Sequence, residues 1–146
     1  MTDLKTMLTG AAKGAVVADV SDLITKSVSD MSGVGGVAVK GAMAAATKYD
    51  AEIVSKVVSR LLPDIADALD PKWQAFLAGG DQDFGAFLDA RKGEVASDIL
   101  EITDRRAQDE GNATLNKIYG SVRGKGAQAL EANAANIGSI IQRHAG

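Results

Sequence analysis

The sequence predicts an all-α fold, an irregular multi-helix single domain of about seven helices over residues 1–146, on three observations. Apolar residues recur three and four positions apart in each segment rich enough to pack, the period of a helix with one buried face. No segment alternates apolar and polar residues as a half-buried strand does. Glycine clusters and two prolines cut the pattern into lengths too uneven for a regular four-helix bundle. At 146 residues one domain with one sizeable core is expected, and no internal repeat marks a solenoid.

Taken in order, Thr2 or Asp3 caps a short first helix with Leu4, Met7 and Leu8 inward, and Gly10 and Gly14 loosen the chain after it. Val16, Val17, Val20, Leu23, Ile24 and Val28 mark a second helix, ended by Ser29-Asp30 and Ser32-Gly33. In GVGGVAVKGAMAAATKY, the line Val37, Gly41, Ala45 permits close contact with a neighbouring helix. Gly35-Gly36 lacks both the G-x-G-x-x-G spacing and the preceding strand of a phosphate-cradling loop, so it reads as packing.

The stretch from Ala51 to Leu88 holds both prolines, the one tryptophan and all three phenylalanines, and is the expected centre of the core. Ile53, Val54, Val57, Val58, Leu61, Leu62, Ile65 and Leu69 follow the helical period. Pro63 lacks the N–H that would bond to the Ser59 carbonyl, so a kink or restart is expected at Leu62 to Asp64. Asp70 then caps a helix opening on Pro71, with Trp73, Phe76 and Leu77 on one face. Gly79-Gly80 ends it, and Asp81 or Asp83 caps a helix bearing Phe84, Phe87 and Leu88. Four rings so close in sequence suit a ligand box as well as a core, but large side chains at helical spacing normally face inward.

Val95, Ile99, Ile102 and Arg106 define the next helix. Its Asp98, Glu101 and Asp104, like Asp64, Asp67 and Asp70, are spaced by three, close enough to hold a hard cation, yet neither set has an EF-hand pattern and both read as a solvated face. After Gly111-Asn112, Leu115, Ile118, Tyr119 and Val122 form a short helix that Gly124-Lys125-Gly126 interrupts. A last helix carries Ala127, Leu130, Ala134, Ile137 and Ile141. His144, the sole histidine, reads as a helix-end cation, since no second histidine completes a metal site and no motif places an acid beside it.

Charge is unevenly spread. Residues 1–49 hold five Lys/Arg and four Asp/Glu, residues 50–110 seven and fourteen, and residues 111–146 four and one. The acidic centre argues against a nucleic-acid surface, which needs a dense basic patch. The lack of cysteine removes disulfides, thiolate metal sites and cysteine nucleophiles. No stretch approaches the roughly 18 to 20 apolar residues of a transmembrane segment. MTDLKTMLTG has no apolar core typical of a secretory signal, so a cytoplasmic location is expected.

MTDLK at the start, Arg60 to Leu69 (RLLPDIADAL), Asp83 to Leu88 (DFGAFL) and Thr103 to Ala107 (TDRRA) resemble a family of small uncharacterised actinobacterial proteins. The resemblance covers much of the chain. Its motifs are packing and capping patterns, and it implies an actinobacterial cytoplasmic origin without an activity or site residues.

These readings converge on a non-catalytic helical interaction protein that binds a protein partner or itself, with no cofactor, catalytic or metal residues expected. The candidate interaction surface is the basic C-terminal arm: Lys117, Arg123, Lys125 and Arg143 steer it, and Leu130, Ile137 and Ile141 supply affinity. The alternative is a carrier of an apolar small molecule or lipid between helices, suggested by the Ala/Gly-lined helix and the aromatic cluster. An enzyme using Asp64 and Asp67 ranks third.

Overall fold

Among the described residues, helix follows helix without a strand: α1 (Leu4–Thr9), α2 (Lys13–Asp30), α3 (Gly33–Tyr49), α4 (Ile53–Gly79), α5 (Phe84–Asp89), α6 (Lys92–Glu110), α7 (Ala113–Ala132) and α8 (Ala134–Ala145). The computed structural model describes residues 3–31, 33–111 and 113–145. The side chains of Leu115, Ile118 and Val122, expected to form one face, lie outside the described residues, as do Thr2, Ser32 and Asn112.

α4 is the axis of the fold. Its 27 residues extend about 40 Å at 1.5 Å per residue. One buried stripe, Val58, Leu61, Leu62, Ala66, Leu69, Trp73 and Phe76, runs along it at helical spacing. The helix passes through both Pro63 and Pro71, where the sequence suggested a restart and a fresh start. The magnitudes explain the difference: an interior proline costs about 3 kcal/mol, whereas each buried leucine of the stripe returns about 1.5–3 kcal/mol. Breaking the helix would take several of these out of register. Asp70 is indeed a cap, but of another helix: its Oδ1 accepts the Leu4 N–H at 3.0 Å, 66 positions away in sequence. Asp3 caps the same first turn through the Thr6 N–H. Gly80, at φ +75°, takes the left-handed conformation that ends α4.

Six residues are too few for a helix to persist alone, and α5 is held by its surroundings. Asp83 accepts the Ala86 N–H, while Gln142 of α8 accepts the Phe84 N–H at 3.0 Å and donates to the Gln82 carbonyl at 2.9 Å. The two backbones meet at glycines. A Cβ on Gly138 would stand 2.6 Å from both the Gly85 Cα and the Phe84 carbonyl oxygen, and one on Gly85 2.6 Å from the Ala135 carbonyl oxygen. Only glycine fits at either position.

The core gathers Leu4, Leu8, Val16, Leu62, Ala66, Leu69, Trp73, Phe76, Phe84, Leu88, Val95, Ile99, Ala134 and Ile141, from α1, α2, α4, α5, α6 and α8. Its rings pack on one another, with Trp73 and Phe84 edge to face at 4.9 Å and Phe76 against Phe84 at 5.1 Å. The aromatics read as a possible ligand box therefore fill one another's space. Trp73 Nε1 has no hydrogen-bond partner among the described residues, a desolvation cost that the ring packing offsets.

α3 and α7 stand apart from this core. α3 packs on α7, and α7 on α6. Among the described residues, their contribution to this cluster is the half-buried Leu130, while Val39 of α3 is buried outside it. α7 continues through Gly124-Lys125-Gly126, where a break was expected, because contacts to α6 hold it there. The break falls at Asn133, whose side chain turns back to the Ala129 carbonyl.

Candidate interaction surface

The seven residues expected to form one surface are dispersed. Ile141 is 5% exposed within the core, and Leu130 and Ile137 pack against that core. An apolar residue facing the end of a chain is free to bind a partner only if its own fold leaves it uncovered, and α5 and α1 cover α8. Arg143 donates to Asp19 on α2 at 3.2 Å, and Arg123 makes a two-pronged contact with Asp104 on α6, both prongs 2.8 Å. The arm is thus steered onto acids of its own chain. Lys117 and Lys125 remain on the surface, Lys125 3.4 Å from Gln128 of its own helix.

Two polar networks fasten the helices. At the α6–α7 seam, Tyr119 donates to Asp104 and lies 2.7 Å from the Thr103 hydroxyl, with Arg123 closing the group. The Arg123 guanidinium, helped by the Tyr119 hydroxyl, holds the Asp104 carboxyl below the usual carboxylate range. Burial, with the Asp104 hydrogen bond adding to it, pushes the Tyr119 hydroxyl up. At the α2–α8 seam, His144 Nε2 sits 2.6 Å from Asp19 Oδ2. That hydrogen bond, followed by the charge of Arg143, lowers the Asp19 carboxyl. Sequence reading left His144 without an acid. The partner lies 125 positions away, and no local motif signals a contact of that range.

The carboxylates weighed as cation ligands are dispersed as well. Asp64 meets Arg106, Asp67 meets Lys5, Asp70 caps α1, Asp98 meets Lys72 and Asp104 meets Arg123. Each of these five is bound to a separate partner rather than turned toward a shared point, and Glu101 is exposed without an ion-pair partner among the described residues. An open polar cleft of about 440 Å³ lies between α2 and α8, with Asp22, Lys26, Asp30 and Asn136 on its walls. Other wall groups already bond within the chain: Asn133 to the Ala129 carbonyl, Ser139 to the Ala135 carbonyl.

The line of small residues that permits close helix contact is an open surface. Val37 is 72% exposed, and Gly41 and Ala45 face outward beside it. A Cβ on Gly41 would meet nothing within 4 Å. α3 buries its other side instead, through Gly36 and Val39. The helical line was legible but its direction was not, since small residues suit a tight seam and an uncovered face alike. Tyr49, 62% exposed, ends this face, and Lys40 and Lys48 are its charges.

Fold and surface together define an all-α protein in which a tight aromatic core carries a peripheral helix pair with an uncovered small-residue face. The chain belongs to a family of unknown function, DUF6918, whose model matches residues 4–145. No curated protein and no solved structure matches it. Among the described residues, no helix is long and apolar enough to cross a membrane.

Proposed function

We propose that this is a non-catalytic interaction protein that docks another protein chain, a partner or a second copy, on the outward face of α3. The observation that carries the proposal is the exposed line Val37, Gly41, Ala45, ended by Tyr49, on the helix that gives no described residue to the core cluster. Small side chains let a second helix approach closely, and an exposed valine and tyrosine gain by being covered. The acids that an enzyme reading would use are engaged in ion pairs and caps, consistent with structural roles. The proposal keeps an actinobacterial cytoplasmic setting, which rests on the resemblance of the MTDLK and TDRRA segments.

Site-specific photo-crosslinking tests the reading. A crosslinking residue at Ala45 should give a discrete adduct in a lysate of the source cells, identifiable by mass spectrometry. The same residue at Ala90, exposed on the loop after α5, should give none, and Val37→Asp should abolish the Ala45 adduct. Equal labelling from both positions would remove α3 as the docking face.

A further inference from the structure

Charge pairing within the chain leaves the α3 face with unspent cations. Lys5, Lys56, Lys72, Arg106, Arg123 and Arg143 each have a carboxylate partner in their own chain. Lys40 and Lys48 have none among the described residues, and α3 contains no acid. An opposite pair lies on α6, where Glu94 and Glu101 are exposed, seven positions apart and likewise without an ion-pair partner among the described residues. Two helical turns separate Glu94 from Glu101, about 10.5 Å, and Lys40 lies about 12 Å from Lys48 along α3. Both pairs are therefore two-point charge patterns of matching length and opposite sign. Between the lysines stand Gly41, Ala44 and Ala45, all exposed, so the backbone of a second helix can approach without meeting bulk.

We propose that the occupant of the α3 face is a second copy of this chain, which seats the Glu94–Glu101 line of its α6 between Lys40 and Lys48. The proposal rests on the reading of α3 as a docking face and names its partner. Within one copy α7 lies against both α3 and α6, and among the described residues no ion pair joins the two lines. Exposed ion pairs are individually weak and set orientation, while covering Val37 and the alanines supplies apolar burial. The contact is accordingly weak, concentration-dependent and salt-sensitive.

Analytical ultracentrifugation of the full chain, with two charge-reversed variants, decides the matter. The parent should associate reversibly up to millimolar concentration, with affinity falling as salt rises. Lys40→Glu with Lys48→Glu, and separately Glu94→Lys with Glu101→Lys, should each weaken self-association by about tenfold or more. All four positions are exposed, and unchanged circular dichroism should show both variants folded. Mixing the two variants should restore association, because each reversed line then meets an opposite one. A parent that stays monomeric throughout, or a mixture no tighter than either variant alone, overturns the second-copy proposal. The α3 docking face itself would survive that result if Ala45 still crosslinks a different protein, and would fall with it if no adduct forms.

Discussion

Glycine does opposite work in the two halves of this molecule. At the α5–α8 seam, Gly85 and Gly138 bring two backbones so close that a single methyl group would collide with main-chain atoms. On α3 and α7, Gly41, Gly120 and Gly124 sit in helices with open space where a Cβ would be. The first pair is required by packing. The second set costs about 1 kcal/mol of helix propensity per residue with no packing return inside the chain. A glycine-rich helical segment therefore says that something small is needed or tolerated there, and only the tertiary neighbours decide which.

The sharpest test of the tight half is removal of α8 by truncation after Ala132. Ala134, Ile140 and Ile141 would be lost, and Phe84 and Leu88 would lose the helix that covers α5. Cooperative unfolding should disappear, read as a broad thermal transition by circular dichroism. A truncated chain that still unfolds cooperatively would make α8 an appendage and would dissolve the comparison.

Single substitutions come next. Leu69 is fully buried on the α4 stripe, and Leu69→Ala should cost about 2–5 kcal/mol in chemical denaturation. Gly138→Ala should cost about 1–3 kcal/mol or more, because its contacts are backbone atoms that cannot swing aside. Gly41→Ala should instead raise stability by up to about 1 kcal/mol. If both glycine substitutions moved the denaturation midpoint in the same direction, the contrast between the two seams would be wrong.

The legibility of the sequence follows the same division. Helical class, the two cap positions to within a choice of Thr2 or Asp3 and of Asp81 or Asp83, the inward Leu4 and Leu8 and the buried Val95, Ile99 and Ile102 could all be read, because period and capping are local properties. Continuity of α4 across Pro63 could not, since the energy that overrides a proline comes from α1, α2 and α6 packing along the stripe. Nor could the pairing of Asp70 with Leu4, or of His144 with Asp19, each set by topology. The candidate surface is divided for a related reason: the charge of the arm was visible, but the acids that pair with Arg123 and Arg143 lie on distant helices of the same chain.

The smallest effect expected is in the pH dependence, and it separates the two halves by location. Asp104 and Asp19 have pKa values held below the ordinary range, by Arg123 and His144 first of all. The unfolded chain therefore binds their protons more tightly. The stability they add is complete above the unfolded carboxylate pKa of about 3.9 and is lost as pH falls through the lower folded values. Tyr119 runs the other way: burial raises its pKa, so its contribution is complete below about 10, the unfolded tyrosine value, and is lost as pH rises through the folded one. Both Asp104→Asn and Tyr119→Phe act at the α6–α7 seam. Asp104→Asn should flatten the acid limb of the denaturation midpoint against pH, and Tyr119→Phe the alkaline limb. In both variants, native-state hydrogen exchange should quicken in α7 before it does in α4, because α7 depends on this polar group whereas α4 depends on buried area. Exchange that quickened equally in the two helices would show the α6–α7 seam and the aromatic core to be one cooperative unit, and the peripheral pair no looser than the centre.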